Sequence, residues 1–246
     1  MRRLLPTPAA ASSIDAYDDL VPPDARWVVL GMVGSLDGAA TVDGRSGALG
    51  GQGDLAGFRA LRTLADVVLV GAGTVRAEDY GPARPRAVER RRARGQGDAP
   101  RIAVVTGSGE LDPDARLFAD PDAGPDARAL VVTTTTGATT ARQRLGDRAE
   151  VVAAGDGRVD LARALDLLAE RGLRRVAAEG GPGLNAQLLQ AGLVDELLLT
   201  LAPSLVGDAG PSIVAGALDA PVDLVLHELR VHGSELLLRY RVLAPR

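Results

Sequence analysis

The segment that most constrains the fold is residues 174–190, where an apolar run leads through a glycine-rich turn into an amphipathic helix. The run ends in Glu179, and two glycines, Pro182 and Gly183 follow. A buried strand that enters a helix through adjacent glycines leaves the first helical N–H groups accessible, and such a turn binds phosphate. Pro182 suits the helix start, because those amides lack intrahelical partners. A tight turn without a ligand is the alternative, but Glu179 favours a site, since ligands bind at strand ends of open α/β sheets.

Apolar, β-branched runs alternate with helical stretches along most of the chain. This alternation predicts an α/β fold with a mostly parallel sheet and helices on both faces. Two long runs near the C-terminus meet at His232-Gly233-Ser234, which predicts an antiparallel hairpin at the end of that sheet. We expect strands near 26–33, 66–71, 101–106, 129–133, 150–153, 174–179, 194–201, 222–231 and 235–242, and helices near 54–64, 138–145, 159–171 and 184–191.

Two segments lack a clear pattern. Residues 1–25 contain no sustained apolar stretch, so we expect an N-terminal arm, not a secretory signal, followed by a single domain at 26–246. Residues 82–100 are rich in Pro, Arg and Gly, which is typical of an exposed loop. No run is long enough to span a membrane, and we expect a soluble cytoplasmic protein.

Composition argues against several classes of function. Aromatic residues make up 2% of the 246 residues and the net charge is −4, which disfavours nucleic acids and anionic membranes as partners. The chain has no cysteine and no lysine, so disulfides, thiol catalysis, Schiff-base chemistry and a lysine-containing phosphate loop are excluded. The two histidines, His227 and His232, are five residues apart and on a strand would face opposite ways, so we expect no metal site.

A second glycine-rich turn follows the buried run at 66–71. Gly71 and Gly73 supply the start of a dinucleotide fingerprint, but Arg76 stands where the third glycine is expected, so the Rossmann pattern fails. Together with the turn at 180–183, this turn predicts two loops that hold one elongated, phosphate-bearing ligand.

Hydroxyl and charged side chains supply further candidates. The threonine run at 133–137 can bind phosphate through neutral donors or can be a helix cap, and the sequence leaves both open. Asp-Gly turns at 37–38 and 43–44 predict a flexible flap. Arg59 and Arg62 lie three apart on a predicted helix, where they can meet an anion together or face solvent.

Taken together, these segments resemble the reductase domain of bacterial riboflavin biosynthesis, which belongs to the dihydrofolate-reductase-like fold family. The matching stretches are SLDG at 35–38, LR at 61–62, DVVLVGAGTVRAED at 66–79, EGGPGL at 179–184 and GLVDELLLTLAP at 192–203. The resemblance is to the branch with the reductase domain alone. A chain without cysteine cannot supply the zinc motifs of the deaminase domain that often precedes it.

The resemblance implies a three-layer fold, a homodimer, and NADPH-dependent reduction of 5-amino-6-(5-phosphoribosylamino)uracil by hydride transfer to the ribosyl C1′. The implied substrate contacts are Arg62 for the ribosyl phosphate, with Arg84 or Arg86, and Glu179 for the pyrimidine or ribose. The residues assigned to the cofactor, including the glycines and Thr133 identified above, are Val33, Gly71, Gly73, Thr74, Glu78, Thr133, Gly180, Gly181, Pro182, Gly183 and Leu184.

Hydride transfer depends on positioning more than on a strong catalytic group. A ring-opened sugar imine still needs a proton donor or electrostatic stabilisation, for which Glu179 and Glu78 are candidates and Asp37 a weaker one. The chain departs from the family at residues 48–51 and at 80–86, so the arginine that meets the phosphate stays open. The alternatives are a dihydrofolate or other pteridine reductase on the same scaffold, and a dinucleotide-binding sensor without turnover.

Overall fold

The secondary structure of the chain follows the apolar periodicity of its sequence. A computed structural model describes residues 1–5, 9–10, 25–84, 86–120, 124, 127–207 and 210–243. The chain divides into two compact units, one formed by Met1–Leu61 with Ala177–Arg246 and the other by Arg62–Val176. The elements of the described residues are, in chain order, β1 (Arg2–Leu5), β2 (Ala9–Ala10), β3 (Trp27–Ser35), α1 (Gln52–Leu64), β4 (Val67–Gly71), α2 (Ala72–Ala77), α3 (Val88–Ala93), β5 (Arg101–Val105), β6 (Ala129–Thr133), α4 (Thr135–Leu145), β7 (Ala149–Ala153), α5 (Leu161–Ala169), β8 (Arg175–Ala178), α6 (Pro182–Gln190), β9 (Glu196–Ala202), β10 (Leu224–His232) and β11 (Glu235–Val242).

The first unit combines parallel and antiparallel pairing. Strand β3 runs parallel to β9, with Val33 opposite Thr200. Strand β9 is antiparallel to β11, and β10 and β11 form the antiparallel hairpin that the sequence predicts. Strand β1 adds to β10 in the antiparallel direction and pairs in turn with β2. The antiparallel part is therefore larger than the C-terminal hairpin alone.

The second unit contains four parallel strands in the order β4, β5, β6, β7. These strands are short runs rich in Val and Ala, and β4 and β6 are buried along almost their whole length. Continuous apolar runs are what a parallel strand covered on both faces requires. The α/β class predicted from the alternation of strands and helices is confirmed.

The arginine-rich segment 82–100 is not simply an exposed loop, and that prediction is wrong. It contains α3, and Arg91 within α3 is only 1% exposed. The Arg91 guanidinium donates to the carbonyl oxygens of Arg62 (2.8 Å), Thr63 (3.1 Å) and Ala65 (2.7 Å) through Nη1. These carbonyls close the C-terminal end of α1, where they lack helical donors, so a buried arginine is stabilised there.

The N-terminal arm predicted at residues 1–25 is described only in part. Arg2–Leu5 belongs to a strand, whereas residues 6–8 and 11–24 lie outside the described residues. Within the described residues, no helix has the length and apolar character needed to cross a membrane. The single domain at 26–246 stays a prediction.

Candidate active site

The glycine turn after β8 lies in the first unit and leads into α6 as the sequence predicts. Gly180 has a φ of +97°, a conformation that favours glycine, and the bond between Gly180 and Gly181 is cis. Gly181 is the N-cap of α6 and Pro182 follows it, with no side chain capping the first turn. A Cβ added to Gly183 would meet no atom within 4 Å. Uncapped amides beside open space fit an anionic group such as a phosphate.

A buried carboxyl lies in the same unit and interacts with Glu179. Glu179 is 6% exposed, and Asp54 in the first turn of α1 is 9% exposed. Burial raises the pKa of Asp54 to about 6, and the charges of Glu235 and Glu179 add to the effect, against a hydrogen bond from Thr200. Two neighbouring carboxyls in a poorly hydrated place resist being ionised together.

Glu235, the first residue of β11, caps the N-terminus of α1. Its Oε1 accepts from Gly51 N (2.8 Å) and its Oε2 from Gly53 N (2.7 Å). Oε1 also accepts a longer bond from Asp54 N (3.3 Å). One carboxylate therefore accepts hydrogen bonds from these amides at the start of the helix, so the Asp54 side chain does not act as the cap.

Val33 and Asp37, both predicted site residues, have structural contacts in the first unit. Val33 is buried in an apolar cluster with Leu49 and Ala202. The Asp37 carboxylate accepts from the amides of Val206 (2.9 Å) and Gly207 (2.7 Å). A hydrogen bond from Ser35 is the largest cause that lowers the pKa of Asp37, so this carboxyl is ionised at neutral pH.

The second glycine turn lies in the second unit, between β4 and α2. Gly71 is the N-cap of α2, and a Cβ on Gly73 would meet nothing within 4 Å. Thr74 within this short helix and Glu78 at its C-cap are half-buried, and Glu78 N donates to the Thr74 carbonyl oxygen (3.0 Å). These residues form one local group, as the sequence predicts for a turn that directly follows a buried strand.

The threonine run after β6 is a helix cap, which was one of the two alternatives left open. Thr134 Oγ1 accepts from Gly137 N (3.0 Å) and donates to the Gly107 carbonyl oxygen (2.9 Å). Thr133 is fully buried, and a Cβ on Gly137 would collide with its hydroxyl. A role for Thr133 in cofactor binding stays a prediction, which this burial does not favour.

Arg62 contacts Tyr80 in the second unit. Arg62 Nη2 donates to the Tyr80 hydroxyl oxygen (3.3 Å), and the guanidinium carbon lies 5.6 Å from the centre of the Tyr80 ring. Arg84 and Arg86 are both exposed, and Pro85 between them is outside the described residues. Tyr80 thus holds the arginine that the resemblance assigns to the substrate phosphate.

Asp54 and Tyr80 are the residues that sequence reasoning missed. An acidic residue in the first turn of a helix ordinarily interacts with the free amides there, so the sequence does not indicate that Asp54 is buried. Tyr80 stands in the stretch that departs from the family pattern, which was the available signal. Among the described residues, no group of His, Cys, Asp or Glu could hold a metal ion; the absence of a metal site stays a prediction.

Comparison with known proteins gives one family over most of the chain. Residues 26–238 match the model of the RibD C-terminal domain. A 2,5-diamino-6-ribosylamino-4(3H)-pyrimidinone 5′-phosphate reductase of Methanothermobacter thermautotrophicus is 32% identical over 221 residues, which cover 88% of this chain and 98% of the relative. The reductase of the same name from Archaeoglobus fulgidus is 30% identical, with 74% of this chain and 82% of that one covered.

Comparison with solved structures gives a protein of similar description. A pyrimidine reductase-like protein from Corynebacterium diphtheriae has a TM-score of 0.85 and 28% sequence identity, covering 96% of this chain and all of that one. The implied restriction to bacterial enzymes is not borne out, because both of these reductase relatives are archaeal. The chain belongs to the RibD C-terminal domain family.

Proposed function

We propose that this chain is a reductase, which converts the ribosylamino group of a phosphoribosylated pyrimidine into a ribitylamino group. The observation that carries the proposal is the match to a pyrimidinone 5′-phosphate reductase along 98% of the length of that relative. When bound, NADPH supplies the hydride that the ribosyl C1′ accepts. The role of the protein is to position the cofactor and the substrate so that the hydride can reach C1′, and to supply a proton.

The cofactor pyrophosphate binds at the turn from Gly180 to Leu184 in this proposal. The support is the first turn of α6, which has no side-chain cap and has open space beside Gly183. Val33, Thr74 and Glu78 line the nicotinamide half, as the resemblance implies. Gly71 and Gly73 belong to the same turn as Thr74, and Thr133 is the residue of this set with the least support.

The substrate phosphate binds at Arg62 in this proposal, because a guanidinium offers two parallel donors to phosphate oxygens. Its contact with Tyr80 supports the assignment, since Tyr80 fixes the orientation of the planar group. Arg84 and Arg86 are exposed, so they can add charge from the following segment. Glu179 faces the pyrimidine or the ribose and orients it.

The proposed pyrimidine is the uracil form, 5-amino-6-(5-phosphoribosylamino)uracil. A second candidate is the 2,5-diaminopyrimidinone form, because the archaeal relatives are named for it. The two compounds differ in one ring substituent, an amino group in place of an oxygen. Comparison of kcat/KM for the two compounds identifies the physiological substrate.

The test of the function is oxidation of NADPH followed by absorbance with each candidate substrate. We expect oxidation with a phosphoribosylated aminopyrimidine, none with dihydrofolate, and slower oxidation when NADH replaces NADPH. Oxidation with dihydrofolate alone would assign the chain to the pteridine reductases. Binding of NADPH without turnover of any candidate would instead support the dinucleotide sensor.

The proposal includes a cytoplasmic homodimer. The dimer is supported by an exposed apolar stretch on β10, where Leu224, Val225 and Leu226 are each more than a third exposed. Consecutive exposed apolar residues at one place on a surface are typical of a contact between subunits.

A further inference from the structure

The proposed reaction consumes one proton for each hydride, and its donor is still to be identified. In the ring-opened form of the substrate, C1′ is doubly bonded to the exocyclic nitrogen. Hydride forms a C–H bond at C1′, the electron pair of the C=N bond moves to nitrogen, and nitrogen takes up a proton. A donor near C1′ must therefore keep a protonated fraction near neutral pH and lie within reach of that nitrogen.

Asp37, a weaker candidate from the sequence, does not meet this requirement. Its carboxylate accepts hydrogen bonds from Val206 and Gly207, and its pKa lies below the ordinary value. Its side chain is exposed to solvent and links two loops through these hydrogen bonds. Asp37 is therefore ionised, and its carboxylate is already hydrogen-bonded to loop amides.

Asp54 differs from Asp37 in both respects. The side chain is nine-tenths buried, yet its Oδ1 has no hydrogen-bond partner. A buried oxygen without a protein partner is uncommon in folded proteins and is typical of a group that bonds to a ligand, an ion or an ordered water. Its other oxygen lies against Gly50, where a Cβ would collide with it, so a larger residue at 50 would displace the carboxyl.

The neighbours of Asp54 connect it to both partners of the proposed hydride transfer. Thr200 donates a hydrogen bond to the carboxyl group, and Thr200 is the register partner of Val33, which we assign to the nicotinamide half. The charge of Glu179, which we assign to the substrate, acts on the same carboxyl. Asp54 thus bonds to the strand partner of a residue assigned to the cofactor, and it feels the charge of the residue assigned to the substrate.

The charges around Asp54 favour its protonated form. Burial is the main reason that its pKa rises to about 6, and Glu235 on β11 and Glu179 after β8 add to it. The hydrogen bond from Thr200 on β9 opposes the rise. On β10, the Cβ of His232 lies beside Gly53, next to Asp54 in sequence. The amides at the start of α1 are bound by Glu235, so they do little to stabilise the Asp54 anion.

We propose that Asp54 is the acid of the reaction: its Oδ1 donates the proton to the exocyclic nitrogen as hydride reaches C1′, while Glu179 orients the substrate beside it. This inference rests on the proposed function. The Asp54 carboxylate that remains after the step takes a proton from water, so the sum is NADPH, imine and one proton giving NADP⁺ and the amine. Asp54 is a catalytic residue in this account, and Thr200 is a positioning residue.

The decisive variant is Asp54→Asn, which keeps the size of the side chain and its acceptor oxygen but cannot act as an acid. We expect the single-turnover rate of NADPH oxidation to fall about 10²-fold to 10⁴-fold, the range for loss of a general acid. In the wild type, this rate is highest below about pH 6 and declines as pH rises and Asp54 loses its proton. In the variant this decline disappears. NADPH affinity, measured by fluorescence titration, stays unchanged.

Asp195→Asn is the control, because desolvation also raises the pKa of Asp195, although this residue is exposed, and its carboxylate accepts a hydrogen bond from Val28 N, away from the proposed site. Its rate and pH profile stay within about twofold of wild type. If wild type turns over and Asp54→Asn keeps both rate and pH profile, the acid role fails and the reductase function stands. If none of the pyrimidine substrates supports NADPH oxidation by the wild type, the proposed function is wrong, and the acid role of Asp54 is wrong with it.

Discussion

Two residues of the same type can have opposite properties in this protein, depending on whether they are buried. Asp37 is exposed, accepts two loop amides and has a lowered pKa. Asp54 is buried, has one unpartnered oxygen and has a raised pKa. The same contrast separates Arg91 from Arg92, its neighbour in α3, since only Arg91 is buried. At this scale the surroundings of a residue, not its type, determine its chemistry.

The raised pKa of Asp54 makes the stability of the protein depend on pH. Its value is about 6 in the folded chain and 3.8 in the absence of structure, so the folded state binds more proton between these values. The free energy of unfolding therefore falls as pH rises from about 4 to about 6, and then stays level. The difference corresponds to about 3 kcal/mol.

Asp54→Asn removes the cost of burying an ionised carboxylate. We therefore expect the variant to be more stable than wild type by up to about 3 kcal/mol at about pH 8. The two proteins should have similar stability near pH 4. Urea unfolding of both proteins across this range measures the effect. A variant that is less stable than wild type at the higher pH would show that the Asp54 anion is stabilised in the folded state.

Tyr80 determines the orientation of Arg62 through a hydrogen bond and a ring contact. Tyr80→Phe keeps the ring and removes the hydroxyl, so we expect KM for the phosphorylated substrate to rise about threefold to tenfold, the effect of one modest hydrogen bond. We expect kcat to change little, because the phosphate is remote from C1′. Tyr240→Phe, on β11 in the first unit, is the control. An equal loss in kcat would show that Tyr80 acts on the chemical step.

Helix α1 shows how one element depends on residues that are remote in sequence. Glu235 binds the amides at its N-terminus, and Arg91 binds the carbonyls at its C-terminus. Both ends of the helix leave main-chain groups without helical partners, and these two side chains supply the partners. Asp54 lies at the first of these caps, and the Arg62 carbonyl is bound by the second.

Arg91→Ala should destabilise the protein, because it removes one donor from each of the carbonyls of Arg62, Thr63 and Ala65. The pKa of Arg91, which burial lowers to about 10, still leaves it charged at neutral pH. We expect a loss of about 2–4 kcal/mol in the free energy of unfolding, typical for a buried network. Arg92→Ala removes the same charge from the same helix, but its ion pair with Asp98 is exposed, so we expect a far smaller loss. Equal losses in urea unfolding would refute the role of Arg91.

At the scale of the whole molecule, the exposed apolar stretch of β10 is the feature on which assembly depends. Val225 is 51% exposed on this strand. Val225→Arg places a charge in the proposed contact between subunits, so we expect a monomer in sedimentation experiments where wild type is a dimer. Leu205→Arg, at a more exposed apolar residue outside β10, should leave the dimer intact. Wild type that sediments as a monomer would exclude the homodimer.

The sequence predicted most of the strands, the C-terminal hairpin and both glycine turns, because each depends on residues close together in the chain. The turn at Gly180 shows this well: an apolar run, two glycines and Pro182 were sufficient to place the start of α6. Helix α3 was missed because its arginines look polar and solvated until α1 is placed against Arg91. The threonine run was ambiguous because a cap and a phosphate site use the same donors.

Local patterns in the chain were sufficient to predict the α/β class and the two glycine turns, since periodicity and backbone freedom are local properties. The roles of the buried charged groups depend instead on contacts between elements that are distant in the chain. Glu235 binds α1 from more than 180 residues away, and Arg91 binds the end of α1 from a later helix. Thr200 on β9 bonds to Asp54, and the charge of Glu179 after β8 acts on it. A pKa, a cap and a buried charge all depend on distances across the fold, and no local pattern encodes those distances.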